Sequence, residues 1–105
     1  MIGFNKSMTA KLKEIYKQAD GVILKIKPRD TSWSQIDVTI SDSWYYSQDF
    51  QKERFVESFG VLISQVIVDH IFVITGGDMV SVYFVDEFGT RLASPKLMGG
   101  WKIEQ

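Results

Sequence analysis

With 105 residues, 45% of them hydrophobic and 24% charged, the chain is sized for one globular domain spanning 1–105, and its two prolines argue against a disordered or fibrous sequence. The absence of cysteine excludes disulfides and thiolate metal sites and fits a reducing, cytoplasmic setting. Net charge is only −1, yet residues 1–29 carry +5 and residues 30–105 carry −6. The two parts either neutralise each other when packed or present faces of opposite sign to partners.

In chain order, Met8, Leu12, Ile15 and Ala19 recur at helical spacing with lysines between them, which predicts an amphipathic helix over 8–19 with Ser7 as its N-cap and Asp20-Gly21 as its stop. Val22, Leu24 and Ile26 then alternate with Ile23, Lys25 and Lys27 up to Pro28, the period of a half-buried strand. A polar segment follows. Ile36, Val38 and Ile40 alternate beyond it, so the two strands are expected to form an antiparallel hairpin, with Lys25 and Lys27 lying across from Asp37.

Ser47 is placed to cap a long second helix whose core stripe is Phe55, Phe59, Leu62, Ile63, Val66 and Ile67. Val56, Val61 and Val68 lie off that stripe, so the helix reads as apolar nearly all round. Such a helix is either sandwiched in its own fold or covered by a second molecule. Glu57, Gln65, Asp69 and His70 interrupt it too often for a bilayer span, and Met1-Ile2-Gly3-Phe4-Asn5-Lys6 lacks the apolar region of a secretory signal. No membrane association is expected. The segment Ile71-Phe72-Val73-Ile74-Thr75 has strand composition and leaves the helix end open before the Gly76-Gly77-Asp78 break.

Val80, Val82 and Phe84 alternate with Ser81, Tyr83 and Val85, and the turn Asp86-Glu87-Phe88-Gly89 leads into a partner strand over residues 90–94. After Pro95 and Gly99-Gly100 comes a short last strand, Trp101-Lys102-Ile103. The order α-β-β-α-β-β-β predicts a two-layer α+β domain, an antiparallel sheet of four to five strands with two helices on one face.

The segment Val38, Ser41, Asp42, Trp44, Tyr45 has the pattern V-x-x-S-D-x-W-Y, and it is followed by Val85, Asp86, Gly89 as V-D-x-x-G and by Gly99-Gly100. Over roughly residues 35–103 the chain resembles small bacterial α+β proteins of uncharacterised function, cyanobacterial ones among them. The resemblance implies topology and carries no activity and no site residue.

Groups for catalysis are few. His70 is the single imidazole, and adjacent helical residues point about 100° apart, so it and Asp69 do not converge on one atom; the helix dipole accounts for a histidine near a helix end. Asp42, Asp78, Asp86 and Glu87 all fall in turns, where an aspartate bonds nearby backbone N–H groups, although a divalent cation held by Asp42 or Asp86 would make a third, enzymatic reading. Ser41, Asp42 and His70 have the atom types of a hydrolytic triad without a nucleophile elbow. The glycine pairs lack the spacing of phosphate loops. No catalytic, cofactor-binding or metal-ligating residue is therefore assigned, and no cofactor.

The leading expectation is a non-enzymatic, self-associating interaction or regulatory protein, a homodimer or one with a protein partner. Its interface candidates are Val56, Val61 and Val68 on the central helix and the aromatics Trp44, Tyr45, Tyr46 and Trp101. The alternative is a small-ligand or nucleic-acid module using those aromatics and a basic face of Lys11, Lys13, Lys17, Lys25 and Lys27, with nucleic acid disfavoured by a pI near 5.7.

Overall fold

A computed structural model describes residues 2–29, 34–75, 80–96 and 99–105, with the backbone alone at 2–7 and 70–75. The His70 side chain, Asp78 and the Gly76-Gly77 pair lie outside the described residues. Helix α1 (Ile2–Ala19) leads into β1 (Ile23–Pro28) and β2 (Gln35–Ile40), then a 3-10 turn over Asp42–Tyr46, the long helix α2 (Asp49–Thr75), and strands β3 (Ser81–Val85), β4 (Arg91–Pro95) and β5 (Trp101–Ile103). The predicted element order holds throughout. The open question at residues 71–75 is settled as helix.

The five strands form one sheet in the order β1-β2-β3-β4-β5. All pairs are antiparallel except β2 with β3, which run parallel with Gln35 opposite Ser81 and Thr39 opposite Val85. The expectation of an antiparallel sheet is corrected here to a mixed one. The physical reason is the connection: α2 carries the chain back along the sheet, so β3 enters in the direction of β2, as a helical crossover requires.

Three local expectations also shift. Ser7 lies within α1, which begins at Ile2, rather than at its N-terminal boundary, because no proline or turn pair between residues 2 and 7 stops the helix. Ser47 is likewise not the cap of α2; Gln48 is, and its N–H donates to Gln51 Oε1 at 2.9 Å while its carbonyl accepts from Gln51 and Lys52. In β1, Ile23 and Ile26 are buried while Leu24 is 45% exposed. A register shift between Ile23 and Lys25 inserts one residue, so the simple alternation breaks and both isoleucines reach the core.

The core lies between the helices and one face of the sheet. Ile36, Val38 and Ile40 of β2 and Val82 and Phe84 of β3 are fully buried against Met8, Ile15, Val56, Ile63 and Ile67 of the helices. Trp101 extends this layer: its indole stands edge-on to Phe84 with centroids 6.4 Å apart and its Nε1 donates to the Val82 carbonyl at 2.8 Å. Tyr16 of α1 closes the outer edge of β1 by accepting the Ile26 N–H on its hydroxyl at 2.6 Å, which removes one free donor from an edge strand. Among the described residues no helix lies over the opposite face of the sheet.

Candidate site on the uncovered face of the sheet

Strand periodicity assigns the side chains of that face. Lys27 is opposite Asp37, which is opposite Tyr83, and Lys25 is opposite Thr39, which is opposite Val85 and then Arg91. Residues directly opposite one another share a face. Lys102, between the half-buried Trp101 and Ile103, alternates onto the same side across from Ser94. Basic side chains thus stand on β1, β4 and β5, toward both edges of a face roughly 19 Å wide at about 4.8 Å per strand, while β2 and β3 present Asp37, Thr39, Tyr83 and Val85 between them.

At the centre of this face sits Tyr83. The Arg29 guanidinium lies over its ring at 4.1 Å from the centroid and the Arg91 guanidinium at 5.3 Å, distances at which cation and ring quadrupole attract. Arg29 is held there by Asp37, with Nη2 donating to Oδ1 at 2.6 Å and Nε to Oδ2 at 3.3 Å. That two-point bond raises the Arg29 pKa above its already high ordinary value. Asp37 therefore acts as a bracket that aims one arginine at the tyrosine. Arg91 is half exposed and has Glu104 at 3.8 Å, a looser arrangement.

Lys27, Arg29, Asp37, Thr39, Glu87 and Arg91 line a depression of about 280 Å³ floored by Val85. Asp86 closes its end. The Asp86 carboxylate is buried and fully occupied: Oδ2 accepts from the Tyr45 hydroxyl at 2.7 Å, and Oδ1 accepts from the backbone N–H of Phe88 at 2.9 Å and of Thr90 at 2.8 Å. The Tyr45 bond, then those backbone bonds, hold its pKa below 3.8 against the opposing effect of burial, and the same bond pushes Tyr45 above 10.0. This is turn chemistry that pins the β3–β4 hairpin to the 3-10 turn. Asp42 and Glu87 are exposed, and among the described residues no group of three or more His, Asp and Glu is placed to hold a metal ion.

The sequence-derived candidates do not form one patch. Trp44 is 2% exposed inside the core, where the Lys52 ammonium stands 5.4 Å from the centre of its ring and donates to the Gln105 carbonyl at 2.9 Å. Tyr46 projects into solvent at 86% exposure, and Trp101 packs at the far end against Gly60. Val56 is fully buried, Val61 is 59% exposed and Val68 is half-buried. Of the lysines, Lys25 and Lys27 lie on the sheet face, whereas Lys11, Lys13 and Lys17 are exposed on α1 in the helical layer. Arg29, Tyr83, Arg91 and Lys102 were missed, although a signal existed: Tyr83 and Lys102 occupy the polar phase of their strands, and Arg29 continues the Lys25, Lys27 alternation past Pro28.

Comparison with protein-family models, curated proteins and solved structures gives no match. Among the described residues no helix is long and apolar enough to cross a membrane.

Proposed function

We propose that the protein is a non-enzymatic docking module whose uncovered sheet face receives an acidic protein segment. The observation that carries this reading is the Arg29–Tyr83–Arg91 stack at the centre of a face rimmed by Lys25, Lys27 and Lys102. Arginine and tyrosine concentrate binding energy at protein interfaces, and a guanidinium fork matches a carboxylate at two points. Asp37 already occupies Arg29 in this way, so an incoming carboxylate meets Arg91 and Lys27 first.

The chemistry favours carboxylates on a folded or extended protein over a phosphate chain. Asp37, Glu87 and Glu104 divide the basic field of the same face, and a polymer with a charge on every unit meets those acids as repulsion, whereas a protein places its acids selectively. The only aromatic of the stack has its ring flanked by guanidinium groups, which leaves less of it for a base.

A glutamate-rich peptide titrated at low ionic strength tests the reading. Binding is expected to weaken as salt rises and to be lost in Lys27→Glu/Arg91→Glu. An oligothymidylate that bound the same face more tightly than the peptide would overturn it in favour of nucleic acid.

A further inference from the structure

The helical layer carries a second surface, on the side of the molecule away from the sheet face. Phe50 and Val61 are 55% and 59% exposed and share one row of α2 with Arg54 and Glu57. Beside that row Phe50, Arg54, Phe55, Ser58 and Phe59 line a shallow apolar groove of about 340 Å³. The exposed ionic residues of the helical layer are segregated by helix. On α2 they are Asp49, Glu53, Glu57 and Asp69 against Arg54; on the described part of α1 they are Lys11, Lys13 and Lys17 against Glu14. The two helices pack side by side in one layer.

We infer that this layer is a self-complementary interface for a second copy of the chain, with α1 of one protomer crossing α2 of the other. A two-fold axis repeats every contact, so a surface that is basic on one helix and acidic on its neighbour matches itself when the copies are exchanged. Stacking α2 on α2 would set Asp49, Glu53 and Glu57 against their own copies, and like charges across an interface are repulsive. Crossing α1 over α2 sets Lys13 and Lys17 against Glu53 and Glu57 instead, twice, and covers Phe50 and Val61 between them. The arrangement leaves the two sheet faces pointing outward on opposite sides. A dimer of this kind is bivalent, and a partner with two acidic segments binds it with an effective concentration set by the linker between them.

The inference does not rest on the docking reading, because it is read from mass alone. Native mass spectrometry and light scattering over a concentration series are expected to give two chains for the wild type and one for Val61→Asp. Because Val61 is exposed in the single chain, circular dichroism of that variant should stay unchanged. Lys13→Glu/Lys17→Glu and Glu53→Lys/Glu57→Lys are each expected to yield one chain, and their combination to restore two. A wild type of one chain at every concentration would overturn the inference. So would a dimer that both Val61→Asp and the charge reversals leave intact.

Discussion

The Trp101 indole lies directly on the backbone of Gly60, in the space where any other residue of α2 would carry its Cβ. A Cβ built at that position comes within 2.6 Å of Cη2 and 2.7 Å of Cε2 of the ring. Glycine is therefore required by packing, in the middle of a helix where its flexibility alone costs about 1 kcal/mol relative to alanine. Gly60→Ala is expected to destabilise by about 1–3 kcal/mol through overpacking, against the gain that propensity alone would give. Urea unfolding followed by tryptophan fluorescence measures it, and a stabilised Gly60→Ala would show that Trp101 moves aside freely.

Tyr45 and Asp86 make stability depend on pH at both ends of the range. A carboxyl with a folded pKa below 3.8 contributes stability that is present above that value and disappears as pH falls through the folded one. A phenol raised above 10.0 contributes stability that is present below that value and disappears as pH rises through the folded one. Asp86→Asn should therefore flatten the acid limb of a melting-temperature profile, and Tyr45→Phe the alkaline limb. Tyr45→Phe should also shrink the acid loss, since the largest contribution holding Asp86 low is gone and its folded pKa moves back toward the unfolded one.

Val56 and Val61 separate burial from exposure on one helix. Val56→Asp places a charge in a site with no solvent access and should abolish cooperative folding, whereas Val61→Asp should change monomer stability by no more than about 0.5 kcal/mol. Thermal melts of the two variants, read at a concentration where the chain is monomeric, distinguish them.

The pair Arg29 and Asp37 should matter little to folding. Its side chains are 35% and 18% exposed, and ion pairs at that depth are worth about 1 kcal/mol or less. Asp37→Asn is expected to leave the melting temperature within a few degrees of wild type while freeing Arg29 for an incoming carboxylate, so peptide affinity should rise or hold. A fall in affinity would mean that Asp37 holds Arg29 in its binding position.

The layout of helices and strands was legible because the apolar phases are regular: Met8, Leu12, Ile15 and Ala19 on a helix, Ile36, Val38 and Ile40 on a strand. The sheet's mixed character was not, since strand direction is fixed by where α2 delivers the chain, and no residue of β2 or β3 records it. The β1 bulge hid the parity of Ile23 and Leu24 for a similar local reason. On the functional side, grouping residues by type brought together aromatics that folding separates, with Trp44 in the core and Tyr46 in solvent. The uncovered face came instead from pairing. Lys27 opposite Asp37 was legible from the β1–β2 hairpin, though Lys25 faces Thr39 instead, whereas Tyr83 joins them only through the parallel pairing of β2 with β3, whose register the sequence does not display.

The amide NMR spectrum of the protein, recorded as a glutamate-rich peptide is added at low salt, tests the docking face most directly. The account predicts shifts concentrated on Lys25, Lys27, Arg29, Tyr83, Arg91 and Lys102 and fading with added salt. No shifts, or shifts confined to α1 and α2, would contradict it.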